Sequence, residues 1–247
     1  MTMARIVAVE LLDHLATDDT AAIRSRRDLR RIHLAMGTGR TLAHVLKAML
    51  PARQGPVPLR LIELGAGDGS LMLGVARVLA PAWPRVELTL LDAQALIGRA
   101  TIAAYAELGW SAVAHVGDVF DWARSGACPL PDGQPAARWD LVVANLFLHH
   151  FDDAQLTGLL AAIARRGDRF FACEPRRDWF ALAASHLVGA IGANAVTRED
   201  AVSSVHAGFR ARELTALWPA TGAAWQLREY PGGLFGHCFR AEPVGAG

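Results

Sequence analysis

The stretch Leu59 to Leu73, LRLIELGAGDGSLML, constrains this chain more than any other. An apolar run, Leu59 to Leu64, stops at Gly65, Gly67 and Gly69, which alternate with Ala66 and Asp68. Ser70 then opens a segment with Leu71, Val75, Val78 and Leu79 at helical spacing. The pattern predicts strand, tight glycine loop, helix. Three glycines so close together let the backbone turn sharply and approach a ligand with no Cβ in the way. The helix start behind them should present free N–H groups and a positive dipole end, as in nucleotide-type pockets of α/β sheets. A glycine-rich turn without a ligand would look similar, so the decision falls to the residues downstream.

The chain continues as strand–helix alternation. Val86 to Asp92 reads as a second strand, followed by a helix from about Ala93 to Leu108 with Gly109 as its C-cap. Ser111 to Gly117 is a third strand and Trp139 to Asn145 a fourth. Asp152-Asp153 then cap a helix to about Arg166. Arg169 to Cys173 is a fifth strand ending at Glu174-Pro175, and a helix spans about Trp179 to Val188. Residues 189–224 interrupt the alternation, with a helix expected from Arg210 to Leu217. Trp225 to Tyr230 and Leu234 to Ala241, joined by Pro231-Gly232-Gly233, read as a hairpin that makes the last strand antiparallel. Ahead of the core, residues 1–50 look helical. Ile6, Val9, Leu12 and Leu15 share one face, and Leu42, Val45, Leu46 and Met49 another. The arginine-rich run Ile23 to His33 reads as an amphipathic helix with a solvated basic face, and Pro51 to Pro58 as a linker. The division expected is 1–55, an N-terminal helical segment, and 56–247, the α/β domain with its insert at about 189–224.

Composition excludes several classes. A net charge of +1 gives no case for a nucleic-acid partner, and no apolar run reaches the length of a membrane span. With 52% hydrophobic residues the chain can bury a large core. Cys128, Cys173 and Cys238 are isolated and the N-terminus lacks a signal-peptide pattern, which predicts reduced thiols and a cytoplasmic protein. No His has zinc-ligand spacing with a Cys, so no metal is expected. Oligomeric state, a homodimer included, is left open.

Four loops should lie at the C-terminal ends of successive strands, where open α/β sheets bind ligands. The first is the glycine loop. The second carries Asp92, 23 residues beyond Gly69, a carboxylate able to accept both hydroxyls of a ribose. The third carries Asp118 and Val119, suited to an exocyclic amine and a purine face. The fourth begins at Asn145.

In these residues the chain resembles the class I S-adenosylmethionine-dependent methyltransferases of small-molecule type. Glu63-Leu64-Gly65-Ala66-Gly67-Asp68-Gly69 looks like the family's first motif, Asp92 the acidic end of its second strand, and Gly117-Asp118-Val119 its adenine-side motif. Asp140 to Phe151, with Asn-x-x-x-His-His-Phe, is similar to its fourth motif. The resemblance implies a Rossmann-like sheet of seven mostly parallel strands with an antiparallel last strand and helices on both faces. It also makes Asp28 to Leu42 a helical lid, like that of the ubiquinone- and menaquinone-type enzymes and those of phenolic-lipid and polyketide pathways. By resemblance, Glu63, Gly65 and Ala66 lie near the amino-acid end of S-adenosylmethionine, and Gly67 and Gly69 let its backbone pass. Asp92 and Ala93 hold the ribose, Asp118 and Val119 the adenine, and Asn145 sits near the sulfonium. Where those enzymes often carry Asn, this chain has His33.

Methyl transfer needs in-line alignment and, for a hydroxyl or activated carbon, removal of a proton. His149, in the turn after the fourth strand, is the candidate base, with Glu174 to orient it or bind substrate. His150 is expected to point away into the packing. Arg176, Arg177 and His206 are further pocket candidates, and Trp179 and Phe180 are expected to pack in the core or line an apolar pocket. The apolar neighbours of His149 suggest a small, largely apolar acceptor such as a phenol, enol or activated carbon. The competing readings are a nicotinamide-dependent oxidoreductase, whose G-x-G-x-x-G the third glycine misses by one residue, and a non-catalytic S-adenosylmethionine-binding protein.

Overall fold

The central strands are buried on both faces, and their alternation assigns each side chain to one of two core layers. The computed structural model describes residues 3–50, 57–83, 85–126, 128–134, 136, 138–220 and 224–245. Residues 51–56 of the expected linker lie outside these. The helices and strands are α1 (Leu11–His14), α2 (Thr20–Met36), α3 (Thr38–Met49), β1 (Leu59–Leu64), α4 (Ser70–Leu79), β2 (Val86–Asp92), α5 (Arg99–Ala106), β3 (Trp110–Val116), α6 (Val119–Ser125), β4 (Leu141–Asn145), α7 (Asp153–Arg166), β5 (Phe170–Pro175), α8 (Trp179–Ser185), α9 (Ala195–Ala207), α10 (Glu213–Leu217), β6 (Trp225–Gly232) and β7 (Gly236–Pro243).

The strands form one sheet in the order β3-β2-β1-β4-β5-β7-β6. β7 pairs antiparallel with both β5 and β6, and the other pairings are parallel. Leu59 and Leu61 of β1, with Leu141 and Val143 of β4, join the core under α3 and α4, which supply Leu42, Leu46, Met72 and Val75. Ile62 and Leu64, with Val142 and Ala144, point to the opposite layer, where α6 and α7 supply Trp122, Leu156 and Leu160. The strand order reverses between β1 and β4, the place where connections to either side leave a crevice at the strands' C-terminal ends.

Several local expectations are corrected. Residues 3–10 are irregular rather than helical, and the segment is held by partners elsewhere in the chain. The Ile6 N–H donates to the His206 carbonyl at 3.1 Å. The Leu11 and Leu12 N–H groups donate to the Asp200 carboxylate at 2.7 and 3.0 Å. Ile6 and Val9 are exposed, so their helical spacing has no face to cover. Helix α5 starts at Arg99 and not at Ala93, because the Gln94 N–H is taken by Asp92 Oδ1, the chain bends at residues 93–94 and it stays irregular to Gly98. Helix α8 ends at Ser185, and a 3-10 turn, Val188–Ile191, follows. The insert holds a helix with no pronounced apolar stripe, α9. It is capped by Asn194 and fixed to α2 through Thr197 Oγ1–Ser25 Oγ and Asn194 N–Asp28 Oδ2, at 2.9 and 3.0 Å. The final turn falls on Gly233-Leu234-Phe235, two residues later than Pro231, since the ladder runs on to Gly232 and Gly236.

Trp179 and Phe180 lie on the surface, 62% and 57% exposed, with Phe180 stacked on Phe235. They neither pack in the core nor line a closed pocket. Among the described residues no helix is long and apolar enough to cross a membrane.

Candidate active site

The glycine loop is built as its sequence requires. Gly65 has φ +70°, and a Cβ there would stand 2.2 Å from the Phe147 ring. Gly67 has φ +57°, and a Cβ would meet nothing within 4 Å. The first glycine allows close approach, and the second leaves open space beside the backbone. The loop's own N–H groups are engaged. Those of Gly65 and Ala66 donate to the Leu91 carbonyl at 2.9 and 3.0 Å, and that of Gly67 donates to Asp92 Oδ2 at 2.8 Å. Asp92 therefore fixes the loop as well as facing the crevice. Asp68 caps the start of α4 through the Ser70 N–H and accepts from Arg30 of α2 at 2.7 Å, tying the N-terminal helices to the loop.

A cleft of about 390 Å³, part of it open to solvent, lies over the C-terminal ends of β1, β2 and β3. Gly65, Asp92, Ala93, Asp118 and Val119 line it, joined by Phe147 and Phe151 from the turn after β4. Asp118 uses Oδ1 to cap the Phe120 N–H. Gly69 closes the loop at φ +73°. Glu63, near the end of β1, and Asn145, at the end of β4, are 3% and 7% exposed and stand outside the residues that line the cleft. Among the described residues, Glu63 Oε2 and Asn145 Oδ1 are buried with no hydrogen-bond partner. Burial, helped by the nearby Asp92 and Asp68 charges, pushes the Glu63 carboxyl up to about 8. Burial also raises Asp92, against the backbone N–H groups that hold its charged form. Two unpartnered acceptors at the ends of adjacent strands suit a ligand that brings donors, an ammonium in particular.

The second half of the site is a histidine held by carboxylates. Leu146, a non-glycine residue at φ +49°, turns the chain into a 3-10 turn, Leu148–His150. Glu174, fully buried at the end of β5, accepts the backbone N–H groups of Phe147, Leu148 and His149. It also accepts the His149 ring N–H at Nδ1, 2.8 Å away. One carboxylate thus closes the turn and sets the imidazole's tautomer and direction. The other ring nitrogen, Nε2, is 3.2 Å from Glu10 Oε1.

Glu10 is a residue of this cluster that the sequence reading missed. It belongs to an N-terminal strap, residues 3–14, that crosses the His149 turn. Arg5 anchors the strap with hydrogen bonds to the Phe151 and Ala207 carbonyls, both 2.8 Å. Glu10 and His149 are separated by 139 positions, and nothing in spacing or pattern joins them. Burial lowers the His149 imidazole, but the hydrogen bonds and charges of Glu10 and Glu174 outweigh it and hold the group at about 9. Burial raises Glu10, and the hydrogen bonds from His149 and His150 outweigh that, keeping it below the usual carboxylate range.

His150 does not point away as expected. Its ring lies 4.3 Å from that of His149, with Nδ1 on the Phe147 carbonyl at 2.9 Å and Nε2 3.5 Å from Glu10 Oε2. Arg177 is a structural cation, buried against the Met3 and Gly208 carbonyls and Glu213. Arg176 pairs with Asp178, and His206 receives the strap through its carbonyl.

A family model described as a methyltransferase domain matches residues 29–230. No curated protein matches the sequence. Among solved structures, the chain is similar to the plantazolicin methyltransferase BpumL in complex with SAH, at 12% identity and TM-score 0.59, covering 92% of this chain and 91% of that one. An O-methyltransferase family protein from Burkholderia thailandensis has 18% identity and TM-score 0.59, with 93% and 62% covered. The pyocyanin biosynthetic protein PhzM has 16% identity and TM-score 0.54, with 94% and 60% covered. The chain thus spans less than two thirds of the length of the latter two.

Proposed function

The chain belongs to the methyltransferase-domain family, and on that footing we propose that it carries a methyl group from S-adenosylmethionine to the oxygen or carbon of a small, largely apolar acceptor. It is an S-adenosylmethionine-dependent methyltransferase; the acceptor class and the residue roles are the proposal. The cofactor supplies an electrophilic methyl on a sulfonium, so the chain has to bind, align and move one proton. The reading of the glycine loop as a nicotinamide site gives way to this one.

In this reading the buried, unpartnered Glu63 Oε2 receives the cofactor's ammonium. Gly65, Ala66, Gly67 and Gly69 line the path of its chain, with the space beside Gly67 left open. Asp92 and Ala93 hold the ribose. Asp118, with one oxygen engaged at the Phe120 N–H, turns the other toward the adenine amine above Val119. Asn145 faces the sulfonium end, and Phe147 and Phe151 add an apolar wall to the cleft that Asp92 and Asp118 line. The acceptor's nucleophilic atom forms the new bond to the methyl carbon as the sulfur–methyl bond breaks, and its proton passes to His149 Nε2.

The observation that carries the proposal is the 2.8 Å hydrogen bond from His149 to a fully buried Glu174, in the turn that also lines the cleft. That carboxylate keeps the proton on Nδ1 and leaves Nε2, which faces Glu10 Oε1 at 3.2 Å, as the atom that loses a proton and takes one up. The fold shared with a plantazolicin methyltransferase and a pyocyanin biosynthetic protein supports a place in secondary metabolism. The test is transfer of labelled methyl to a panel of phenols and enols. His149→Ala should lower kcat by roughly 10²–10⁴-fold with SAH affinity kept, as for loss of a general base. Full activity in a folded variant refutes the role and leaves alignment alone to drive the reaction.

A further inference from the structure

We propose that Glu10, His149 and His150 form a binding site for a transition-metal dication of the zinc class, and that its occupancy arrests methyl transfer. One ligand atom from each residue lies within 4.8 Å of the other two. A tetrahedral ion with bonds of about 2.0–2.2 Å sets its ligands about 3.4 Å apart. His149 Nε2 is 3.2 Å from Glu10 Oε1 and His150 Nε2 is 3.5 Å from Glu10 Oε2, so each imidazole already stands at about that distance from the carboxylate.

The surroundings of the imidazoles are those a metal site requires. A ligating histidine commonly donates its other ring N–H to a carboxylate or carbonyl, which fixes the tautomer and aims the free lone pair. Here Glu174 takes the Nδ1 proton of His149 and the Phe147 carbonyl takes that of His150. Both Nε2 atoms then face the same carboxylate. Two imidazoles and a carboxylate suit zinc, cobalt and neighbouring divalent ions. Asp13 Oδ2, 3.7 Å from His150 Nε2, is at hand as a fourth ligand, and otherwise water takes that position. The turn supplies two ligands and the strap the third, so the ion would staple the strap over His149.

The arrest rests on the base role of His149. An ion on Nε2 takes the lone pair that would receive the acceptor's proton. The metal is therefore no participant in the reaction and acts as a brake on it.

The experiment uses the full chain stripped with a chelator. Co²⁺ is titrated while its visible ligand-field bands are followed, and Zn²⁺ is measured by competition with a chromogenic chelator. One equivalent should bind, and Glu10→Gln and His150→Gln should each weaken it at least ~10-fold, since even outer partners of metal ligands are worth that much. Calorimetry with SAH on the same variants confirms that they are folded. One equivalent of Zn²⁺ should suppress turnover of the native chain and leave the His150→Gln rate unaffected by the ion. Absent ligand-field bands, or bands indifferent to both substitutions, overturn the site. Stoichiometric binding with turnover unchanged or raised overturns the arrest, and the base role of His149 with it, while leaving the site.

Discussion

Glu10→Gln is the substitution whose effect follows most directly from the geometry. With the strap docked, His149 is held at about 9, against 6.5 for an ordinary imidazole. At pH 7 only ~1% of a group with that value is neutral and able to accept a proton. Two carboxylates sustain the shift against burial: Glu10 at Nε2, 3.2 Å away, and Glu174 at Nδ1, 2.8 Å away. Removing one of two comparable partners should lower the imidazole by about one pH unit, equivalent to ~1.4 kcal/mol. In chelated buffer the rising limb of kcat/KM should move down by that amount, and the rate at pH 7 should climb about tenfold. An NMR titration of His149 measures the same shift without an acceptor. The sign for stability is also set. The raised imidazole contributes in full below pH 6.5, and the contribution is lost as pH rises through about 9. The depressed Glu10 contributes above its ordinary value and loses this as pH falls. Denaturant unfolding should therefore show the native chain's advantage over Glu10→Gln greatest between about pH 4.5 and 6.5. If His149 titrates at the same pH in both proteins, Glu10 does not face it in solution, and the strap described here is not the working one.

Asp92→Ala should weaken S-adenosylmethionine binding by about 1.5–3 kcal/mol in calorimetry, the scale of hydrogen bonds to a charged group. It should also lower Tm, because the N–H groups of Gly67 and Gln94 lose their acceptor. Unchanged affinity in a folded variant removes the ribose assignment. Gly67→Val should abolish cofactor binding while the circular dichroism of the sheet persists, since its side chain enters open space at the loop; retained binding refutes that path. Glu63, pushed up to about 8, is ~90% protonated at pH 7, so an incoming ammonium should drive a proton off it. Calorimetry in two buffers of different ionisation enthalpy should show about one proton released per cofactor at pH 7, and none in Glu63→Gln. Equal release in both proteins places the ammonium elsewhere.

The two halves of the site differ in how much of them could be read from sequence. The cofactor half depends on short-range features. Glycines at 65, 67 and 69 and the acid at 118 each follow a strand by a few residues and Asp92 ends one, so recognising the strands places the loops at one edge of the sheet. The seven strands and the antiparallel β7 were legible for the same reason: period-two and period-3.6 patterns are local, and each central strand needs two apolar faces. Helix α9 was not, because with no apolar stripe it carries no period to read, and its place is fixed by hydrogen bonds to Ser25 and Asp28.

What the sequence determined by itself is therefore the sheet, its order of loops and the glycine and acidic residues those loops carry. What only the tertiary structure decided is the environment of His149. Its pairing with Glu174 depends on β4 and β5 lying side by side, and its contact with Glu10 on a strap docked through Arg5 and Asp200. The Glu174 contact was expected from the places of both residues at the ends of the fourth and fifth strands, whereas spacing along the chain carries no trace of Glu10. An imidazole's basicity is set by the charges within a few ångströms of it, and here one of those charges arrives from 139 positions away.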